Sequence, residues 1–172
     1  MDLGKKIETT ANIANIAVAT LLSAILIKAY VLPASSHVVP QVSKDASVGV
    51  SLKGRVPGIN WSKNGRTLVL AMSTQCHFCR DSTPFYGKVQ DEVGKGVKIV
   101  AVLPQTVTEA EQYLNGEGVR VDQVEQVPMG SIGIRGTPTM LLVNSSGVIT
   151  KMWVGKIQTE QEQEVLTALR RG

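Results

Sequence analysis

The sequence predicts an α/β domain, a central mixed β-sheet flanked by helices, preceded by one N-terminal transmembrane helix. Three observations carry that prediction. A stretch of 19 residues between Glu8 and Lys28 holds no charge. Beyond it, short apolar runs alternate with helically patterned segments, the mark of strands buried on both faces and joined by crossover helices. The last two runs are separated by Asn144-Ser145-Ser146-Gly147, a tight-turn sequence that makes that pair an antiparallel hairpin.

The N-terminal element is justified by length and flanks. As a helix rising about 1.5 Å per residue, Thr9 to Ile27 covers the roughly 30 Å hydrocarbon core of a bilayer. Ala29 to Leu32 extend it, Lys28 snorkels toward the headgroups, Tyr30 suits the interface and Pro33 ends the helix. A cleaved signal peptide has a shorter apolar core and a small-residue cleavage site, and no clean A-x-A site follows here. A buried helix of a soluble protein is the third reading. Lys5, Lys6 and the amino terminus, with no basic residue from Ala29 to Ser43, orient the N-terminus to the cytoplasm and the rest of the chain outside. The expected organisation is a cytoplasmic stub and anchor over residues 1–32, with 9–32 in the lipid bilayer. A flexible linker follows over 33–51 and a folded domain over 52–172. The expected location is the cell inner (cytoplasmic) membrane, single-pass. His37, on the linker, reads as a solvated residue.

Within the domain, Arg55 to Asn60 reads as an extended lead-in and Asn64-Gly65 as a turn. Thr67 to Ser73 (TLVLAMS) is an almost wholly apolar strand. Residues from His77 to about Val93 have helical spacing, kinked at Pro84. Val97 to Leu103 is a second strand, stopped by Pro104. Thr108 to Glu111 matches a capping box opening a short helix through Leu114. Val121 to Val127, Thr139 to Val143 and Val148 to Val154 are strands. Thr159 with Glu162 matches another capping box, before a last helix from Gln161 to Arg171. Early crossovers imply parallel strands and the late hairpin an antiparallel edge.

Composition narrows the function. The chain has 172 residues, 43% of them hydrophobic, and a net charge of +4 from 18 basic and 14 acidic side chains. The excess is scattered, without a long basic run, so no nucleic-acid partner is expected. The two cysteines are Cys76 and Cys79. A pair so close in sequence closes no long loop, and a structural staple is the weaker reading.

Cys76-His77-Phe78-Cys79 falls where the first strand gives way to a helix. At a helix N-terminus, unpaired backbone N–H groups and the dipole stabilise a thiolate and lower the thiol pKa from its free value of about 8.5. A second cysteine one turn on closes a disulfide and resolves mixed disulfides formed at the first. Cys76 is therefore the expected nucleophile and Cys79 the resolving thiol. His77, when protonated, favours the thiolate and makes the disulfide more oxidising; its plain alternative is a solvated first-turn residue. Phe78 is either an exposed apolar lip for a partner or a packed helix residue. A copper- or zinc-binding module is the competing non-enzymatic reading, but no second C-x-x-C or H-x₃-H completes a tetrahedron. A peroxidase of the peroxiredoxin kind needs Thr three residues before the cysteine, and Thr74 stands two before Cys76.

These residues resemble the thioredoxin superfamily, in particular the membrane-tethered TlpA/ResA-like redoxins, over roughly Asn64 to Arg171. The resemblance rests on TLVLAMS running into C-x-x-C, on Pro84 five residues after Cys79, on Arg135-Gly136-Thr137-Pro138-Thr139, and on the final hairpin and helix. It implies a cis-proline at Pro138 packed against the disulfide, with the Thr137 backbone free to pair with an extended substrate. It implies a thiol-disulfide oxidoreductase that needs no metal or cofactor beyond the Cys76–Cys79 disulfide. Its partners would be protein thiols or disulfides, together with a membrane thiol-electron carrier or a re-oxidising partner. Extracytoplasmic disulfide reduction or cytochrome c maturation would be its setting. The chain departs from the family at Gln75, where thioredoxins carry Trp, at Leu70, where they bury an acid, and at Ser82, where many ResA-like proteins carry Glu.

Overall fold

The computed structural model describes residues 46–93 and 96–170. All belong to the second of two units into which the chain divides, Val42–Gly172. The expected anchor over 9–32, linker residues 33–45 and His37 lie outside the described residues. Among the described residues no helix is long and apolar enough to cross a membrane.

Among the described residues ten regular elements follow one another: α1 (Trp61–Asn64), β1 (Arg66–Ala71), α2 (His77–Asp81), α3 (Thr83–Glu92), β2 (Val97–Leu103), α4 (Val107–Gly116), β3 (Gln123–Gln126), β4 (Thr139–Val143), β5 (Ile149–Val154) and α5 (Thr159–Arg170), with a 3₁₀ turn at Met129–Ile132 before β4. The sheet order is β3-β2-β1-β4-β5. β1 and β2 run parallel, as do β2 and β3, whereas β4 is antiparallel to both β1 and β5. The central strand β1 is apolar on both sides because both faces of the sheet are covered. On one face Leu68, Leu70, Ile99, Ala101 and Met140 pack against Phe85, Tyr86, Val89, Val165 and Leu169 of α3 and α5. On the other face, Val69, Val100, Leu141 and Val143 meet Leu52, Val56, Trp61, Ile132 and Ile134.

That second face corrects the sequence reading. Residues 46–51, expected in the flexible linker, are tied to the domain. Ala46 N–H donates to Gly133 O at 2.8 Å, Gly49 N–H to Ile149 O at 2.8 Å, and Ser51 bridges Val148. Apolar Ala46 and Leu52 are buried there, so this lead-in is part of the core cover. Instead of a continuous extended run, residues 52–58 turn and Trp61–Asn64 form a short helix capped by the Asn60 carboxamide and closed by Gly65 at φ 69°.

Smaller differences have local causes. The helix expected through Pro84 is split at Ser82, which ends α2 and precedes α3. Proline is tolerated in a first helical turn, and the break puts it there. The capping box that opens α4 is Thr106 with Glu109, two residues before the Thr108 pattern. Thr106 hydroxyl accepts from Glu109 N–H, and the Glu109 carboxylate accepts from Thr106 N–H. α5 already includes Thr159, and the Gln158 carbonyl accepts its first bonds. At its far end Arg66 donates to the carbonyls of Leu169 and Ala168 at 3.0 and 2.7 Å, tying α5 to the start of β1.

Asp122 secures the start of β2. Its carboxylate accepts from Ile99 N–H and from Lys98 Nζ, each at 2.8 Å. Partial burial raises its pKa, but the Lys98 and Ile99 bonds outweigh that and hold the carboxyl below the usual carboxylate range. A depressed folded-state pKa contributes stability that is present above the unfolded value of about 3.9 and lost as pH falls through the folded value. Asp122→Ala is expected to lower stability by on the order of 1 kcal/mol near neutral pH. The gap to wild type should narrow below pH of about 4, and urea unfolding at both pH values measures it.

Candidate active site

β1 and β4 place the site. Because they are antiparallel with Ala71 opposite Thr139, the residues that follow β1 and those that precede β4 emerge at the same end of the sheet. Leaving β1, Met72 N–H still pairs with Val102 O at 3.0 Å, and the chain then turns through Ser73–Gln75. Cys76 N–H donates to Ser73 O at 3.0 Å. Cys76 is the N-cap of α2, with extended dihedrals of φ −89° and ψ 108°. Its Sγ accepts from Cys79 N–H at 3.1 Å, so sulfur holds the place an N-cap oxygen usually takes.

Cys76 and Cys79 form a disulfide across Cα atoms 5.2 Å apart. Their exposures differ. Cys79 is fully buried within the apolar cluster that includes Tyr86, and Cys76 is half-buried at its rim. The sulfur accessible to a partner is therefore that of Cys76.

The Thr137–Pro138 peptide bond is cis. Thr137 O lies 3.3 Å from Cys76 Sγ. In the disulfide that sulfur carries no proton, so the approach is a contact; in the dithiol the S–H donates to the same carbonyl. Pro138 O in turn accepts from Gly155 N–H at 2.7 Å, which joins the loop before β4 to the end of β5.

The residues singled out in the sequence thus separate into groups. Cys76, Cys79, Thr137 and Pro138 come together. Phe78 is 58% exposed beside them, an apolar side chain facing solvent. His77, on the same turn, is also exposed, with its ring edge-on to Phe78. Its Nε2 lies 3.4 Å from Asp81 Oδ2. Ser82, standing where the resemblance expects Glu, is buried, and its hydroxyl donates to Phe78 O at 2.7 Å. Behind it, burial pushes the Tyr86 phenol well above its ordinary range despite a hydrogen bond with Ser82. Among the described residues no group of three or more His, Cys, Asp or Glu side chains is gathered as a metal site.

Two residues at the site, Gln105 and Lys156, were not legible beforehand. The Gln105 carboxamide, just past β2, accepts from Thr74 N–H at 3.4 Å and donates to Ser73 Oγ at 3.3 Å, bracing the loop that delivers Cys76. Lys156, after β5, reaches Asp81 Oδ2 at 3.6 Å. Neither carries a motif: Gln105 is 31 residues from Thr74, and only strand pairing makes them neighbours.

No family model matches the chain, and no curated protein matches it. Solved structures do share its fold. A Chlorobium tepidum protein assigned as thiol:disulfide interchange protein DsbE superposes with a TM-score of 0.51 at 21% identity, over 74% of this chain and 94% of that one. A thiol:disulfide interchange protein from Bacteroides sp. gives 0.51 at 20% identity, over 74% and 92%. A thiol-disulfide isomerase from Corynebacterium glutamicum gives 0.53 at 15% identity, over 74% and 95%. The domain therefore has a thioredoxin-like α/β fold with a mixed central sheet.

The unequal burial of the two sulfurs has a direct readout. In the reduced chain, limiting iodoacetamide is expected to label Cys76 about tenfold faster than Cys79. Peptide mass mapping would show it, and equal labelling would contradict the assignment of the exposed thiol.

Proposed function

We propose that the chain is a thiol-disulfide oxidoreductase that exchanges a dithiol for a disulfide with protein partners. The observation that carries this reading is the Cys76–Cys79 disulfide, with one sulfur buried and the other half-exposed at a helix N-cap against the carbonyl of Thr137. Reported relatives in fold that are themselves thiol-disulfide proteins support it.

The chemistry balances without a bound cofactor. In the reducing direction the Cys76 thiolate attacks one sulfur of a partner disulfide, and the partner's other sulfur leaves as a thiolate. The Cys79 thiolate then attacks Cys76 sulfur, the partner's second thiolate departs, and the electron pair that began on the dithiol ends on the partner. Oxidation of a partner dithiol is the same path reversed. The Cys79 N–H bond to Cys76 Sγ favours the anion that each direction requires at Cys76. Phe78 supplies apolar contact to the partner, and the Thr137 backbone beside Pro138 aligns an extended segment over the disulfide.

Loss of the attacking sulfur should differ from loss of the resolving one. With insulin and dithiothreitol, the wild-type chain accelerates insulin precipitation, Cys76→Ser abolishes the acceleration, and Cys79→Ser accumulates a mixed disulfide visible on a non-reducing gel. A wild-type chain without a reversible couple in glutathione buffers would rule out the whole reading.

The proposal extends to place. The uncharged segment before Lys28 supports a single-pass anchor over residues 9–32, with the redox domain outside a bacterial-type cytoplasmic membrane. In that oxidising compartment, partner reduction requires electrons from a membrane thiol carrier, and partner oxidation requires a re-oxidant. The full-length chain is expected to stay in the membrane pellet through alkaline carbonate extraction; release into the supernatant would remove the anchor from the proposal.

A further inference from the structure

The carboxylate of Asp81 stands at the end of α2 between two basic side chains from different parts of the chain. His77, one turn earlier on α2, brings Nε2 to 3.4 Å. Lys156, from the loop between β5 and α5, brings Nζ to 3.6 Å from the same oxygen. The neighbouring Gly155 N–H holds Pro138 O. Asp81 thus links the helix that carries both cysteines to the loop that supports the opposite wall of the site. The other basic residue on α2, Arg80, is turned away to Glu117 at 3.3 Å.

The position of His77 matters for the sulfur chemistry. An imidazolium inside a C-x-x-C favours the thiolate when its charge lies against the sulfur. Here Nε2 points to Asp81 instead, and the ring is three-quarters exposed. Among the described residues, the polar atoms against Cys76 Sγ are Cys79 N–H and Thr137 O. Asp81 also sets a negative charge on the short helix whose N-terminus must stabilise the Cys76 anion.

We propose that Asp81 is a positioning residue that draws His77 away from Cys76, and so holds the Cys76–Cys79 couple more reducing than its histidine-containing motif alone would make it. The proposal rests on the dithiol–disulfide reading above. It gives that reading a direction, with Asp81 tilting the couple toward donating electrons to a partner disulfide.

The test is the equilibrium of the full-length chain with glutathione near pH 7. Two glutathione thiols reduce the Cys76–Cys79 disulfide and become one glutathione disulfide. Asp81→Asn removes the charge and nearly keeps the shape. It is expected to shift this equilibrium toward the protein dithiol by about two- to fivefold, the range of a half-exposed ion pair. That is about 10–20 mV at 29.6 mV per tenfold. In a His77→Gln background the same substitution should move the equilibrium by less than half as much, because the group it restrains is gone.

An unchanged equilibrium in Asp81→Asn, or a shift of the same size in both backgrounds, overturns the proposal. Lys156→Met serves as a second variant. It leaves His77 as the basic neighbour of Asp81, and a potential that stays level or falls supports the restraint whereas a rise contradicts it. Urea midpoints accompany each variant, since a merely structural role would lower stability without this dependence on His77. A wild-type chain that does not equilibrate with glutathione would instead overturn the oxidoreductase reading, an outcome distinct from a normal couple indifferent to Asp81.

Discussion

The antiparallel pairing of β1 with β4 is the constraint on which the site depends. Opposed directions and the Ala71–Thr139 register bring the segment after β1 and the segment before β4 to one end of the sheet. Cys76 and Thr137 are 61 residues apart in sequence, yet sulfur and carbonyl meet at 3.3 Å. A parallel β4 would have sent Pro138 to the opposite end. A one-residue slip would have turned the apolar side chains of β4 to the wrong faces, both of which are packed.

Burial on both faces makes that register rigid. β1 lies at the centre of the sheet, between β2 and β4, with α3 and α5 over one face and the lead-in with the 127–134 segment over the other. Such a strand has nowhere to move without exposing apolar surface on one side. The Cys76–Cys79 disulfide is therefore held just beyond the end of this buried central strand. Phe78 and His77 stand exposed on the turn beside it. Stiffness beneath and exposure above is the division that the proposed exchange with partners calls for.

Much of this architecture was legible because it is written in local pattern. VKIVAVL is apolar except for Lys98 and TMLLV except for Thr139, and both strands have the expected bounds. Cys76 at a strand-to-helix junction followed from the sequence directly around it. The errors fell where local pattern is ambiguous. Ala46, Val48 and Val50 are too sparse among small and polar residues to announce a packed segment, yet Ala46 is buried and Val50 packs against the core because the open face of a sheet was waiting for them. Thr106 and Thr108 each precede an acid by three residues, and only the course of the chain leaving β2 selects the first as the cap.

By itself, the sequence determined the alternation of strands and helices, the pair of thiols and their place at a helix start, since each rests on residues within a few positions of one another. Tertiary structure alone decided which sulfur is buried, which carbonyl faces the other, and that Lys156 reaches the carboxylate beside His77. Those outcomes depend on distances between residues far apart in the chain, and such distances exist only once the sheet has closed its register.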